Sequence, residues 1–212
     1  VQQAASPITI ILGTAHLSST PGKRSPDGTF REYQYSRELC NLICNKLKSR
    51  GYKCVIDYIA DDMPGLTSSQ ELVKRVGIVN NLYEQLNKQV IYVSIHINAA
   101  GNSNEKKKAT GWSIYTSKGV TKSDKLADCI YGRAKVILES LGKKLRTDFS
   151  DNDPDYEENF YVLKNTKCPA VLTENFFQDC KTDVAWLLTD EAKRALVDIH
   201  VEGIVDYLKS VS

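Results

Sequence analysis

The sequence predicts a single α/β domain: a mostly parallel, twisted sheet covered by helices on both faces. Short apolar, β-branched runs alternate along the chain with longer segments in which apolar residues recur at helical spacing. Three of the runs, at residues 9–15, 90–97 and 168–173, are typical of buried parallel strands. The 212 residues, 42% of them hydrophobic and 25% charged, suffice for one well-filled core. We expect one domain over residues 1–212, with a flexible start at residues 1–6.

The other elements follow from local patterns. The first strand leads into a polar loop at 17–29 that contains two prolines and two glycines, and residues 31–50 then have helical spacing up to Gly51. The remaining predicted segments, in order, are strand 54–58, loop 61–68, helix 69–87, strand 90–97, loop 98–110, strand 112–115, helix 123–141, an irregular acidic segment at 146–159 that is too long and polar to be core, extended segment 160–163, strand 168–173, and one or two closing helices in 183–209.

Charge and hydropathy exclude some classes of protein. A net charge of +2 is too small to indicate a nucleic-acid partner. The run at residues 106–108 is lysine-rich but lies among Asn, Ser and Gly, which favours a solvated loop. No stretch reaches the roughly 18 apolar residues of a membrane span. The chain starts at Val1, and residues 1–6 could follow a removed signal peptide.

The six cysteines do not fix the redox compartment. Cys40 and Cys44 lie four apart on one apolar face of a predicted helix, a poor geometry for bonding to each other, so we expect buried free thiols. The other four could pair in three ways if all are oxidised, and the sequence does not choose among these pairings. These four are Cys54, Cys129, Cys168 and Cys180.

Two histidines and a glutamate close the buried strands. His16 and His96 each end a β-branched run, and Glu174 directly follows Val-Leu-Thr. The carboxyl ends of parallel strands meet at the sheet edge where ligands bind. Two imidazoles and a carboxylate are a donor set typical of catalytic zinc, which keeps one position open for water. The sequence therefore predicts a metallohydrolase. The third histidine, His200, lies on the terminal helix and is expected at the surface or the edge of the core.

Two glutamates are candidates for different roles. Glu32 opens the first helix, where it is either a charge that favours the helix dipole or a metal ligand, and position alone does not decide. Glu174 would be costly at the end of a buried strand without a partner. It suits a carboxylate that takes a proton from water and returns it to a leaving amine.

Short segments over nearly the whole chain form an ordered set of motifs. They are Gly13-Thr-Ala-His16, Arg31-Glu32 with Ser36, Lys74-Arg-Val-Gly-Ile-Val-Asn80, Ser94-Ile-His-Ile-Asn-Ala99, Gly111-Trp-Ser-Ile-Tyr115, Ser123 with Leu126-Ala127, Phe160-Tyr-Val-Leu163 and Pro169-Ala-Val-Leu-Thr-Glu-Asn-Phe176. Together they resemble the zinc-dependent N-acetylmuramoyl-L-alanine amidases of type 3. The first motif departs from the usual Asp-Pro-Gly-His-Gly-Gly of that family but keeps its histidine.

The resemblance implies roles for individual residues. His16, Glu32 and His96 would bind one catalytic zinc ion, and Glu174 would be the catalytic carboxylate. Arg75 and Asn80 also match the family, and we interpret them as structural braces rather than substrate contacts. Loops 98–110 and 146–159 are candidate walls of an open groove.

The implied function is hydrolysis of the amide between N-acetylmuramic acid and L-alanine. The expected partner is peptidoglycan or a muramyl peptide, and no nucleic-acid partner is expected. No membrane span is expected either, and the sequence leaves the oligomeric state open. The expected location is extracytoplasmic, either periplasmic or secreted, and a phage lysin is a further possibility. The alternatives are another zinc peptidase that cuts within the stem peptide and a catalytically silent peptidoglycan-binding module. The presence of all four chemical residues disfavours the silent module.

Overall fold

The computed structural model describes residues 6–57, 65–101 and 107–211. The elements in chain order are β1 (Thr9–Thr14), α1 (Glu32–Ser49), β2 (Cys54–Ile56), α2 (Ser68–Gln85), β3 (Val90–Asn98), β4 (Trp112–Thr116), α3 (Lys122–Ser140), β5 (Tyr156–Glu157), α4 (Tyr161–Asn165), β6 (Ala170–Phe177), α5 (Lys181–Leu187) and α6 (Asp190–Ser210). None of the helices within these ranges is long and apolar enough to cross a membrane.

The strands form one sheet in the order β2-β1-β3-β6-β4-β5. Neighbouring strands are parallel except for β4 and β6, which are antiparallel. Apolar side chains of α1, α3 and α6 pack on one face of the sheet, and those of α2 and α4 pack on the other. The predicted mostly parallel sheet with helices on both faces is confirmed.

Local sequence explains where two helices begin. Thr67 accepts a hydrogen bond from the backbone of Gln70, whose side chain bonds back to Thr67, and Thr121 and Asp124 form the same reciprocal cap on α3. These caps satisfy backbone donors that a helix start leaves free. Both helices begin one residue before the predicted position.

Two predictions on the segment before β6 are wrong. Residues 160–163 were expected to be extended, but Tyr161–Asn165 is the short helix α4, because this turn buries Val162 and Leu163 in the core beside α2. A short apolar run does not distinguish strand from helix. In the segment 146–159, predicted to lie outside the core, Asp155 is buried and accepts a bond from Thr116 Oγ1 at 2.6 Å. Residues of β5 extend the sheet directly after it.

All six cysteines are unpaired in this structure. Cys40 and Cys44 are buried, as expected for two thiols on the apolar face of α1. The predictions for residues 1–5, for Tyr58, for loop positions 61–64 and for Lys106 fall outside the described residues.

Candidate active site

The carboxyl ends of β1, β3 and β6 bring the predicted residues to one edge of the sheet. His16 follows β1, while His96 and Glu174 are directly opposite each other in the register between β3 and β6. Glu174 lies inside β6 and not after its end, which corrects the predicted boundary. The register between the two strands shifts after His96, and Phe176 takes a positive φ of 65° there, so the strand continues through an irregularity.

His16 has an unusual backbone conformation. Its φ is 52°, in the left-handed region that side chains other than glycine seldom adopt. Arg75 Nη2 donates to the carbonyl oxygen of His16 at 3.3 Å, and Leu17 N donates to Thr20 Oγ1 at 3.1 Å. These bonds hold the chain where it leaves β1 and fix the position from which the imidazole extends.

Glu32 is the first residue of α1 and is only 1% exposed. Its Oε1 atom lies 3.5 Å from His16 Nε2, 3.2 Å from His96 Nδ1 and 3.1 Å from the backbone N of Ile97. One donor atom from each of His16, Glu32 and His96 lies within 4.8 Å of the other two, so these residues form a possible metal site. A favourable charge at the helix dipole would not require burial against two imidazoles.

His96 is held by contacts on both ring nitrogens. Nδ1 faces Glu32, while Nε2 lies 3.1 Å from Ser94 Oγ. When Nε2 carries the proton and donates a hydrogen bond to Ser94, the lone pair of Nδ1 is free to bind a cation. The rings of His16 and His96 meet edge to face, with centroids 5.1 Å apart.

The electrostatics favour an anionic Glu32 and a neutral His96. Burial alone would raise the pKa of Glu32, but hydrogen bonds and charges from His16 and His96 outweigh it and hold that pKa below its ordinary value. Burial lowers the pKa of His96 to about 4, although its hydrogen bond to Glu32 opposes this shift. An ionised carboxylate and neutral imidazoles are the protonation states that ligate a metal.

Glu174 stands beside this cluster with one oxygen unsatisfied. Its Oε2 atom is buried and has no hydrogen-bond partner among the described residues. Burial, followed by the negative charge of Glu32, raises the pKa of Glu174 well above its usual range, while Lys23 and Arg146 act in the opposite direction. Such a carboxylate is poised to exchange a proton.

Helix α1 also joins the two strands that carry the histidines. Ser36 Oγ accepts a hydrogen bond from Ala15 N at 2.8 Å and donates one to the carbonyl oxygen of Ile95 at 2.6 Å. Ser36 lies one helical turn after Glu32. The same helix therefore presents the carboxylate and fixes the ends of β1 and β3.

Arg75 and Asn80 make the bracing contacts that the sequence suggested. Arg75 is buried and donates to Glu71, to Thr14 and to Asp57, which also accepts a bond from Tyr92. Asn80 donates to the carbonyl oxygen of Asn165, the last residue of α4, and accepts from the backbone N of Lys167 just after it. Neither contact involves the donor atoms of the cluster.

Gly13 explains part of the first motif. A Cβ atom at this position would lie 2.1 Å from the hydroxyl oxygen and 2.5 Å from the ring of Tyr92. Tyr92 is fully buried and its hydroxyl donates to Asp57 at 2.8 Å, so the ring has little freedom to move. The strand that delivers His16 thus needs glycine where it crosses Tyr92.

Sequence reasoning missed two side chains at the site. Asn175 donates to the carbonyl oxygen of His96 at 2.9 Å and accepts from the indole N–H of Trp112 at 2.9 Å. Gln178 donates to Glu32 Oε2 at 3.0 Å. Asn175 could have been found, since it directly follows Glu174 in a matching segment. The contact of Gln178 depends on the strand irregularity before it, for which the sequence has no signal.

The expectation for His200 is wrong. Its side chain is fully buried, with Nδ1 2.7 Å from the carbonyl oxygen of Leu196 and Nε2 2.9 Å from Thr173 Oγ1. The packing of α6 on α3 and on the sheet places this residue in the core. Its two hydrogen bonds compensate for the burial of a polar ring.

The cluster lies away from the best-formed cavity of the described structure. A cavity of about 910 Å³ is found at the opposite edge of the sheet, near the amino ends of β3 and β6, and it contains none of the four predicted residues. Around the site, Asp179 accepts bonds from Ala100 N and Gly101 N, and Asp183 accepts one from Thr110 Oγ1. Both ends of the loop after β3 are therefore fixed next to β6.

Comparison with known proteins identifies the family of this chain. Residues 10–206 match the family described as N-acetylmuramoyl-L-alanine amidase. The chain belongs to this amidase family. The resemblance seen in the motifs is confirmed.

Two curated relatives match this chain over only part of their own length. An endolysin of Bacillus phage SPP1 is 36% identical over 121 residues, which is 56% of this chain and 40% of the relative. An uncharacterized cell wall amidase of Bacillus anthracis is 30% identical over 145 residues, which is 68% of this chain and 25% of the relative. The matched parts thus make up less than half of each relative.

Solved structures share the fold. The N-acetylmuramoyl-L-alanine amidase from Clostridium difficile 630 has a TM-score of 0.77 at 22% identity, with 98% of this chain and all of that chain covered. The CwlD amidase from Clostridioides difficile, solved in complex with the GerS lipoprotein, has a TM-score of 0.75 at 23% identity, with 97% and 100% covered. The similarity extends over the whole of both neighbours.

Proposed function

We propose that this amidase hydrolyses the amide bond between N-acetylmuramic acid and L-alanine with one zinc ion held by His16, Glu32 and His96. The observation that carries the proposal is the cluster of three donor atoms within 4.8 Å, in a member of the amidase family. Two imidazoles and one carboxylate match the three protein ligands of a catalytic zinc site. When bound, zinc would polarise the scissile carbonyl and make water more acidic.

The residues of the protein supply the metal ligands and hold these ligands in position. Metal binding uses the neutral form of His16 and His96, and Glu32 supplies the negative charge that a buried cation needs as a partner. Ser94 holds the second ring nitrogen of His96, which fixes the direction of its lone pair. Ser36 and Arg75 fix the backbone next to the two histidines.

In this proposal Glu174 transfers the proton from the attacking water to the leaving group. A positive charge at the neighbouring cluster favours the ionised form of this carboxylate, which opposes the effect of burial on its pKa. The ionised Glu174 accepts a proton from the attacking water and then donates it to the amino group of the departing L-alanine. None of the described residues forms a hydrogen bond with its Oε2, so no such bond competes for the transferred proton at this oxygen.

The proposed substrate is a polymer bound in an open groove. Loops 98–110 and 146–159 remain our candidates for its walls, in part because Arg146 packs over the ring of Phe177 at 5.1 Å and acts electrostatically on Glu174. The curated relatives, an endolysin and a cell wall amidase, support action outside the cytoplasm or as a phage lysin.

Two substitutions test the division of roles. Glu174→Gln should keep zinc bound while turnover falls about 10² to 10⁴-fold, because it removes the proton acceptor but no ligand. Glu32→Gln should weaken zinc binding, with activity partly recovered at high zinc. The measurements are metal content and release of L-alanine amino termini from purified peptidoglycan. Glu84→Gln is the matched control, since this exposed carboxylate pairs with Lys167, outside the proposed site, and should change neither quantity.

The same assay can contradict the proposal. Nearly full activity of Glu174→Gln would show that another group moves the proton, and loss of its zinc would make Glu174 a ligand. New amino termini from residues other than L-alanine would favour a peptidase that cuts within the stem peptide. Binding to peptidoglycan without any product would favour a silent binding module.

A further inference from the structure

Gln178 is a buried residue that none of the predicted roles includes. It follows the last residue of β6 and is 1% exposed. Its backbone N donates to the carbonyl oxygen of Asn98 at 2.8 Å, which ties it to the end of β3. Its side-chain Nε2 lies 3.0 Å from Glu32 Oε2 and 3.4 Å from the carbonyl oxygen of Ile97.

The surroundings of Gln178 dictate which way its amide points. The carboxylate of Glu32 and the carbonyl of Ile97 are both acceptors, so only the amide nitrogen can face them. The opposite atom, Gln178 Oε1, is buried and has no hydrogen-bond partner in the part of the chain that the structure describes. An unpartnered buried oxygen is unfavourable, so the contact with Glu32 is what holds this orientation.

The two oxygens of Glu32 consequently have different environments. Oε1 receives the backbone N–H of Ile97 and faces both imidazoles, while Oε2 receives the amide of Gln178. A carboxylate anchored at one oxygen can still rotate about its long axis. Anchored at both, it keeps a fixed plane with Oε1 directed at the histidines.

We propose that Gln178 is a positioning residue for the metal-binding carboxylate. By occupying Oε2 it leaves Oε1 as the oxygen that Glu32 offers beside His16 and His96. This inference rests on the proposed function, in which Glu32 is a ligand. Outer partners of metal-binding carboxylates of this kind typically change metal affinity about 10 to 100-fold when they are removed.

The competing explanation is that Gln178 only fills space in the core. Gln178→Met separates the two, because methionine has a similar length but no donor. As a space-filling residue, Gln178 could be replaced with some change in stability and none in zinc affinity. As a positioning residue, its replacement weakens zinc binding in a folded protein.

The experiment measures the zinc dissociation constant by competition with a chromophoric chelator, together with urea unfolding of the metal-free protein. Gln178→Met should bind zinc about 10 to 100-fold more weakly than wild type. Gln178→Asn, which shortens the side chain by one methylene and withdraws the amide from Glu32, should weaken binding similarly and serves if the methionine variant does not fold. Asn80→Leu is the control: it removes a structural amide far from the cluster and should leave zinc affinity unchanged.

The possible failures can be told apart. Absence of zinc binding by the wild-type protein overturns the proposed function and this inference with it. Tight binding by wild type and equally tight binding by a folded Gln178 variant overturn only the positioning role. Equal weakening by Asn80→Leu would show that general destabilisation, and not the contact with Glu32, controls zinc affinity.

Discussion

At the scale of single residues, hydrogen-bond partners distinguish two histidines of similar pKa, the fully buried His200 and the largely buried His96. Burial lowers the pKa of both His96 and His200 to about 4. His200 uses both nitrogens within the core, on Leu196 and Thr173, so no lone pair remains for a ligand. His96 directs Nδ1 at Glu32, within the cluster of donor atoms that it forms with Glu32 and His16. The same side chain is therefore structural in one place and a candidate metal ligand in the other.

The lowered pKa of His200 predicts that the free energy of unfolding depends on pH. Because the folded value is about 4 and the ordinary value 6.5, the unfolded chain binds the proton more readily, and the protein loses stability as the pH falls through this window. Between pH 7.5 and pH 5 this residue should account for a loss of about 2 kcal/mol. Urea unfolding of metal-free wild type and His200→Gln at both pH values measures it.

His96 titrates in the same range of pH. It is present in both wild type and His200→Gln, so its contribution to the stability loss cancels when the two proteins are compared. The variant should therefore show a smaller loss between the two pH values. An equal loss in wild type and variant would contradict the burial of a neutral His200.

Residues at strand ends could be predicted, whereas contacts across the fold could not. His16, His96 and Glu174 were recognisable because β-branched runs identify buried strands and parallel strands share their carboxyl edge. Position alone left Glu32 undecided, since a helix start also favours a free carboxylate. Gln178 lies 146 positions from Glu32, and their contact depends on the irregular end of β6, which no local pattern encodes.

At the scale of elements, α1 connects the two strands that carry the histidines. Ser36 makes one bond to the end of β1 and one to β3, and Glu32 makes its contacts one turn earlier on the same helix. The helix was predictable from the spacing of its apolar residues. Helix α4 was not, because its buried pair Val162 and Leu163 fits a strand equally well until α2 is seen to pack on it.

Ser36→Ala should therefore affect both stability and metal binding. It leaves Ala15 N and the carbonyl oxygen of Ile95 buried without this partner, which should cost about 1–3 kcal/mol of unfolding free energy. Zinc affinity should also fall, since the neighbouring histidines lose a common anchor. Ser49→Ala on the exposed end of α1 is the control and should change neither value. Destabilisation with fully retained zinc affinity would limit Ser36 to a role in packing.

At the scale of the whole molecule, the proposed ligands belong to separate parts of the fold. His16 follows β1, Glu32 begins α1 and His96 lies in β3, so a bound ion would link three elements that unfolding separates. The sheet edge was predictable from the alternation of strands and helices. The closeness of the donor atoms was not, because it also requires the left-handed backbone at His16 and the burial of Glu32.

Zinc should consequently raise the thermal stability of the amidase. A ligand present at about 1,000 times its dissociation constant stabilises the folded state by about 4 kcal/mol. For a chain of this size that corresponds to an increase in Tm of about 8–16 °C. Calorimetry with zinc and with a chelator measures the difference, and the chelator should also abolish activity. Glu174→Gln should show the wild-type increase because it retains all three ligands, whereas His16→Ala should show almost none. An equal increase in His16→Ala would place the stabilising ion elsewhere on the protein.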